Sequence, residues 1–269
     1  MILLFFRHLF AQGFIVAGFF LFLSFTLSAE IGYRLGRHVA ASKPENEADI
    51  TISSTLTSGM VGLLAFTLGL SINFAQNRFE ARRDLVLAEA NAIGTAWLRT
   101  KLMDDATALT LGDRIEDYAH VRLAFTITES DADVPGLIGR TNALQAEIWQ
   151  SAQAMAHRSP NPITTALITA LNDMFDVSAS QQFAYESRVP PNLLLMLYGG
   201  AIVTIGALGY QLGLAGNRQV VLTTLLLMMW SSGMLLIADL NQPRMGSIRA
   251  DAAPLIWTIR GFGAKPQVR

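Results

Sequence analysis

Cysteine is absent from the 269-residue chain, which excludes disulfide-stapled secreted domains, catalytic thiols and thiolate metal sites. Charged residues are also scarce, at 15% of the chain against about 25% in soluble domains. The net charge is −1. Without a basic excess the chain has no global field to hold nucleic acid, so no nucleic-acid partner is expected.

The usual signatures of enzyme chemistry are missing too. The four histidines form no metal-binding pair at helical spacing, and no phosphate-binding, dinucleotide-binding or nucleophile-elbow motif is present. The carboxylate clusters are typical of solvated helix ends and turns, and none has an EF-hand spacing. The sequence therefore predicts no enzyme activity, no cofactor and no metal site.

Long apolar runs are what the chain has instead. Four of them, at 13–33, 55–75, 191–213 and 220–240, are long enough to cross about 30 Å of hydrocarbon. The first is expected to be a retained helix and not a cleaved signal peptide, because Leu27 occupies the −3 position of the only plausible cut, after Ala29. The short connection between the third and fourth runs predicts an antiparallel hairpin.

These spans predict an all-α integral membrane protein with a helical insert between helices two and three. Its parts are expected to be transmembrane helices one and two, a cytoplasmic helical domain, the hairpin of helices three and four, and a cytoplasmic C-terminal tail, at 1–75, 76–190, 191–240 and 241–269. The insert carries 10 Lys and Arg and 15 Asp and Glu, a balance of −5.

Basic residues near the span ends predict the orientation. Seven lie on the side of the termini and the insert, namely Arg7, Arg78, Arg82, Arg83, Arg188, Arg244 and Arg249. The other side has four, namely Arg34, Arg37, Lys43 and Arg218. We therefore expect a multi-pass protein of the plasma (inner) membrane with both termini cytoplasmic, although Arg34 and Arg37 lie on the side that should be poorer.

The insert is expected to be helical throughout. The second span continues without a proline from Ser53 to Lys101, which predicts one unbroken helix of about 73 Å. Asp104 and Asp105 are expected to end it and to cap the next helix, where Leu109, Ile115, Tyr118, Arg122 and Phe125 recur at helical spacing. Pro135 is expected in the first turn of a third helix, and Asn161 with Pro162 at the start of a fourth.

The second span is polar where a lipid-facing helix should be apolar. At 100° per residue, nine of its residues fall within about 40° of Phe66 and form one continuous stripe. The stripe begins small, becomes bulky and apolar, and then becomes polar and acidic: Thr55, Gly59, Gly62, Phe66, Leu70, Asn73, Asn77, Glu80 and Asp84. Buried amides need partners in hydrocarbon, so this face must meet protein or water.

Two interpretations of the stripe stay open, and they are compatible. One is a helix–helix interface, in which glycines allow close approach and the asparagines bond across it. The other is a pore lining around the axis of an oligomer, with Phe66 and Leu70 forming a hydrophobic constriction and Asn73 and Asn77 a wet vestibule. The second requires a ring of subunits, since one polar helix cannot enclose a path alone.

Asp239, at the end of the fourth span, also leaves two possibilities. It is solvated at the membrane interface, or it pairs with Arg78 or Arg82 of the long helix and fixes the elbow between membrane and insert.

Three segments carry a family resemblance. The run Phe66-Thr67-Leu68-Gly69-Leu70, followed by Arg78-Phe79, resembles the second membrane helix of bestrophins. The run 77–84 with 89–95, and the run 239–249, resemble the bacterial bestrophin-like domain membrane proteins. The resemblance to that bacterial family covers essentially the whole chain.

The resemblance implies four spans, a helical cytoplasmic body and a homo-oligomer, a homopentamer, with one axial ion pathway. Its partners would be inorganic ions and membrane lipids. Phe66 would occupy the neck, with Leu70 where an aromatic residue is usual and Gly62 where the family has a bulky aliphatic one. The acidic calcium clasp of bestrophins is not visible after the fourth span, so no calcium control of that type is expected.

The function predicted is thus a homo-oligomeric bestrophin-like ion channel. Rings of Glu80 and Asp84 at its mouth would favour a cation path or a weakly selective one. The alternative is a non-conducting membrane scaffold or sensor whose cytoplasmic helices bind a partner.

Overall fold

The computed structural model describes residues 13–42, 47–103 and 106–263. These ranges contain helices and connecting turns without a strand, which confirms the all-α class. In chain order the helices are α1 (Phe14–Ser42), α2 (Glu47–Thr100), α3 (Ala106–Ile127), α4 (Val134–Arg158), α5 (Pro162–Glu186), α6 (Pro191–Leu214), α7 (Val220–Leu240) and α8 (Ala253–Phe262). Arg7, Lys43, Asp104 and Asp105, used above, lie outside the described residues.

Four segments are long and apolar enough to cross a membrane, as the sequence predicts. They are Ile15–Ser42, Ile50–Thr100, Pro162–Leu214 and Val220–Leu240. The third segment comprises α5 and α6, of which α6 corresponds to the predicted third span. The predicted unbroken helix is also present, since α2 runs for 54 residues from Glu47 to Thr100 and contains no proline to interrupt its hydrogen-bond ladder.

The chain divides into two compact units. The first, here called the membrane unit, comprises the described residues of 1–77 and 189–241. The second, here called the insert unit, comprises those of 78–188 and 242–269. The described residues from Gln242 onward therefore belong to the insert unit.

Within the membrane unit, α1 packs against both α6 and α7. Small residues allow the backbones of α1 and α6 to touch: a Cβ atom on Gly32 would lie 2.0 Å from the Gly206 carbonyl oxygen, and one on Gly209 would lie 2.1 Å from that of Ala29. The Ser28 hydroxyl donates to the Ile202 carbonyl across the same contact, at 2.7 Å. This is the small-residue packing typical of membrane helices.

We expect Gly209→Ala to destabilise the membrane unit by about 1–3 kcal/mol, the usual effect of overpacking. The added methyl group would overlap backbone atoms of α1, which cannot rotate away. Gly199→Ala is the matched control on the same helix, because a Cβ there meets nothing within 4 Å. Thermal unfolding in detergent measures the difference, and equal melting temperatures for the two variants would contradict the close contact.

The insert unit has its own apolar core, built from α3, α4, α5, α8 and the C-terminal part of α2. Its fully buried large side chains include Ile93, Leu111, Ile115, Tyr118, Phe125, Ile148, Met155, Leu167 and Leu171. The predicted helix starts are confirmed: the Asn161 side chain accepts from the Thr164 amide at 2.9 Å, and prolines lie in the first turns of α4 and α5.

The segment after α7 is fastened to this core. Arg244 donates to the Phe125 carbonyl at 2.7 Å, and its guanidinium lies over the rings of Phe125 and Tyr185. Burial lowers the pKa of Arg244. Further along, Arg249 pairs with Glu129 at 2.6 Å and the Thr258 hydroxyl donates to the Ala90 carbonyl at 3.2 Å.

Candidate ion pathway

The nine stripe residues of α2 are all exposed on the protomer. They are Thr55, Gly59, Gly62, Phe66, Leu70, Asn73, Asn77, Glu80 and Asp84. Phe66 is 64% exposed and Leu70 is 45% exposed. Within the described ranges 13–42, 47–103 and 106–263, no helix covers the face that the sequence singles out.

The opposite face of α2 packs inside the protomer. Its buried residues Thr57, Leu64, Ser71 and Ala75 lie about 140–180° from Phe66 around the helix. The hydroxyls on or beside this face are satisfied locally, since Ser71 donates to the Thr67 carbonyl at 2.7 Å and Thr67 to that of Leu64 at 2.9 Å. The helix is thus oriented with its stripe outward.

The exposed face of α2 differs chemically from those of α1 and α7. On α1 the large exposed side chains within the apolar run are Ile15, Val16, Phe19, Leu23, Leu27 and Ile31, and on α7 they are Val220, Val221, Leu222, Leu225, Met228, Met229 and Leu236. Such faces suit lipid. The α2 face adds exposed amides, and the Asn77 side chain donates to that of Asn73 at 3.2 Å.

Shape changes along the stripe. A Cβ atom on Gly59, Gly62 or Gly69 would meet nothing within 4 Å, so this part of the face is shallow and open. The bulky positions are Phe66 and Leu70. Leu63 and Phe74 are exposed as well and lie about 60–80° from Phe66, beside the stripe and not within 40° of its centre. Both side chains line a groove that they share with residues of α6.

The charges at the end of the stripe are acidic. Glu80 and Asp84 are exposed, whereas Arg82 is only 2% exposed and lies about 160° from Phe66 around the helix. Arg78 is half-buried. Arg83 is exposed and lies about 100° from Phe66. The three arginines therefore lie off the stripe, although Arg83 directly precedes Asp84.

The residues predicted to form the elbow are Asp239, Arg82 and Arg78. Asp239 is only 6% exposed, which favours a paired carboxylate over a solvated one. Arg82 is buried as well. Their pairing, with Arg78 as the other candidate, stays a prediction.

A buried polar network in the insert unit escaped the sequence analysis. Arg122 on α3 donates through Nε to Glu89 on α2 at 2.5 Å and also donates to Gln181 on α5. Glu89 and Arg122 are 0% and 1% exposed. Next to them the hydroxyl of Tyr118 accepts from Gln145 at 3.3 Å, and burial raises the pKa of Tyr118 to about 12.

The network lies wholly inside the insert unit. Among the described residues no three His, Asp or Glu side chains are grouped so that they could hold a metal ion. Its contacts join α2, α3, α4 and α5 through hydrogen bonds, as a structural polar core does.

The Bestrophin-like domain family matches residues 23–255 of the chain. The chain belongs to that family. No curated protein is similar enough to count as a match. The family match includes most of α1, all of α2 with its stripe, all of α6 and α7, and residues 242–255 that follow in the insert unit.

Solved structures show the same fold. A tyrosine-to-alanine variant of a bacterial bestrophin homologue from Klebsiella pneumoniae is 15% identical, with a TM-score of 0.68 and coverage of 90% of this chain and 96% of that one. A leucine-to-threonine variant of the same homologue is 16% identical, with a TM-score of 0.63 and coverage of 93% and 97%. At these identities the likeness establishes the fold of this bestrophin-like chain alone.

Proposed function

We propose that this bestrophin-like chain forms a homo-oligomeric ion channel in which the α2 stripes of several copies line one axial pore. The observation that carries the proposal is the exposure of all nine stripe residues on the protomer. Within the span this face holds Asn73, with Asn77 at its end, and the one hydrogen bond between these two amides leaves their other polar atoms to be satisfied. Such a face is costly to place against lipid, because unsatisfied polar groups cost several kcal/mol in hydrocarbon. Water in a shared pore solvates them.

One protomer leaves the stripe on its outside, so closure needs a ring of copies. A pentamer is the number that the family resemblance favours. In such a ring Phe66 and Leu70 form two successive apolar constrictions that gate by dewetting, and Asn73 and Asn77 line a wet vestibule beyond them.

The orientation proposed is the one that the basic residues favour. The insert and both termini lie in the cytoplasm, in a plasma (inner) membrane. Glu80 and Asp84 then ring the cytoplasmic mouth. Because Arg82 is buried and Arg78 and Arg83 lie off the stripe, these carboxylates make the mouth attractive to cations.

The test is a bilayer measurement of ion selectivity on the purified protein. With KCl at unequal concentrations on the two sides, we expect a reversal potential of the same sign as the potassium equilibrium potential. Neutralising the mouth with Glu80→Gln and Asp84→Asn should move that potential toward zero. The control neutralises two exposed carboxylates of α5 with Asp173→Asn and Asp176→Asn and should leave it unchanged.

Three outcomes contradict parts of the proposal separately. A potential that tracks chloride contradicts the cation path. A stable monomer in detergent, seen in its mass, contradicts the ring. An oligomer without any ion flux through liposomes favours the alternative function, a membrane scaffold or sensor.

A further inference from the structure

Three arginines at one end of the membrane unit are not used by the proposed pathway. Arg34 and Arg37 lie near the end of α1, and Arg218 lies in the turn between α6 and α7. In the proposed orientation this end faces away from the cytoplasm, where positive residues are usually depleted. We therefore expect these arginines on the non-cytoplasmic side to have a specific partner or ligand.

A carboxylate holds two of the three arginines in place. Glu30 accepts from Arg34 Nε at 2.7 Å and pairs with Arg218 Nη1 at 3.2 Å. The guanidinium of Arg218 also lies over the ring of Tyr33, 4.4 Å from its centre. The side chains of Arg34 and Arg218 are nevertheless 76% and 54% exposed. The cluster, with Arg37, has a net charge of +2.

The turn beside this cluster has a constrained backbone. Among the described residues other than glycine, only Gln219 has a positive φ, which is 43°. Gly216, in the same turn, has a φ of 68°. A Cβ atom on Gly216 would lie 3.1 Å from Arg37 Nη1, so Arg37 reaches over the turn. Left-handed conformations of non-glycine residues cost free energy and tend to occur at functional sites.

An amphipathic groove of about 200 Å³ leads away from the cluster, between α1, α6 and α7. Glu30, Tyr33 and Arg218 line its polar end. Phe22, Leu212 and Leu227 line its apolar part. From Phe22 to Tyr33 the groove follows α1 for about 16 Å.

We propose that this groove binds a phospholipid of the leaflet facing away from the cytoplasm. The lipid phosphate contacts the exposed guanidinium groups of Arg34, Arg37 and Arg218, and one acyl chain lies along the apolar part of the groove. Arginine suits phosphate because its planar fork donates two hydrogen bonds at once. The net charge of +2 favours an anionic headgroup, such as phosphatidylglycerol, over a zwitterionic one.

The inference rests on the membrane insertion and orientation and is independent of ion conduction, so a non-conducting protein would still bind the lipid. The test is native mass spectrometry of the delipidated full-length oligomer with added phosphatidylglycerol, phosphatidylcholine or inorganic phosphate. We expect retention of phosphatidylglycerol at concentrations where phosphatidylcholine is lost. The double variant Arg37→Gln with Arg218→Gln should weaken that retention about tenfold or more.

Two further variants separate the explanations. Thr26→Trp fills the groove at an exposed position and should also abolish lipid retention, since the acyl chain loses its place. Arg260→Gln removes an exposed arginine of the insert unit and should have no effect. Equal retention of both lipids, or loss of lipid in the Arg260 control as large as in the double variant, would overturn the proposal. Retention that Thr26→Trp leaves unchanged but free phosphate competes away would show an anion site without a lipid.

Discussion

Phe66→Ala is expected to raise ion flux through liposomes about tenfold or more, equivalent to lowering the conduction barrier by about 1.4 kcal/mol. The proposed ring of phenyl groups makes the narrowest apolar part of the pore, where water is unstable and ions pay for dehydration. Removing the ring leaves only Leu70, because the position one turn earlier is Gly62, around which space is open. The increase should therefore be large for a single substitution.

Phe19→Ala is the matched control. Phe19 lies on α1 and is 67% exposed, close to the 64% of Phe66, but it belongs to an apolar face that suits lipid. Stopped-flow flux measurements on both variants should show an increase for Phe66→Ala alone. An equal response of the two variants, or unchanged flux for Phe66→Ala in a conducting protein, would contradict the neck.

Arg122→Met is expected to destabilise the insert unit by about 3–5 kcal/mol, the usual effect of removing one partner of a buried ion pair. Glu89 is fully buried, and within the described structure its Oε2 atom has no hydrogen-bond partner. Without Arg122 the carboxylate would lose its compensating charge as well, and Gln181 would lose its donor.

The double variant Glu89→Leu with Arg122→Met tests the cause. It removes both charges, and such replacements are often neutral or stabilising. Tryptophan fluorescence during thermal unfolding is a suitable measurement, because Trp97, Trp149 and Trp257 lie in the insert unit. The single variant should melt well below wild type and the double variant close to it. Equal losses in both would show that packing, and not charge burial, dominates at this site.

The sequence predicts those features that depend on local periodicity. The length of the apolar runs predicts the four spans, the lack of proline predicts the continuous α2, and Asn161 with Pro162 predicts the start of α5. The exposed stripe follows from the same rule, since polar residues at helical spacing in an apolar helix must share a face. These features are set by residues within a few turns of one another.

Features that depend on distant residues could not be predicted. Arg122 recurs at the spacing of Ile115, Tyr118 and Phe125, which indicates a buried face, but its partner Glu89 is 33 positions away. Leu109 follows the same rhythm and is exposed, because periodicity identifies a face without showing what covers it.

The sequence also does not predict which helices pack against each other. Gly206 and Gly209 meet α1, whereas Gly199 of the same helix meets nothing. Which glycine faces which helix is decided by tertiary packing, and the choice of α1 as the close partner of α6 appears only in the structure.

Cysteine accessibility tests the central claim most directly, because the chain has no cysteine of its own. Asn73→Cys places a thiol on the stripe, and Leu236→Cys places one on the exposed face of α7 at a similar depth. The two depths are similar because Gly233 of α7 lies beside Leu68 of α2, where a Cβ atom on Gly233 would lie 3.0 Å from Leu68 Cδ2. Leu236 follows Gly233 by three residues, and Asn73 follows Leu68 by five. The thiolate, which forms in water and not in lipid, is the nucleophile that attacks methanethiosulfonate reagents.

If the stripe lines a water-filled pore, a charged, membrane-impermeant methanethiosulfonate reagent should modify the oligomer in liposomes at least about tenfold faster in the Asn73→Cys variant than in the Leu236→Cys variant. Equally slow modification of both positions would contradict it, because the stripe would then face lipid or a dry protein interface instead of a water-filled pore.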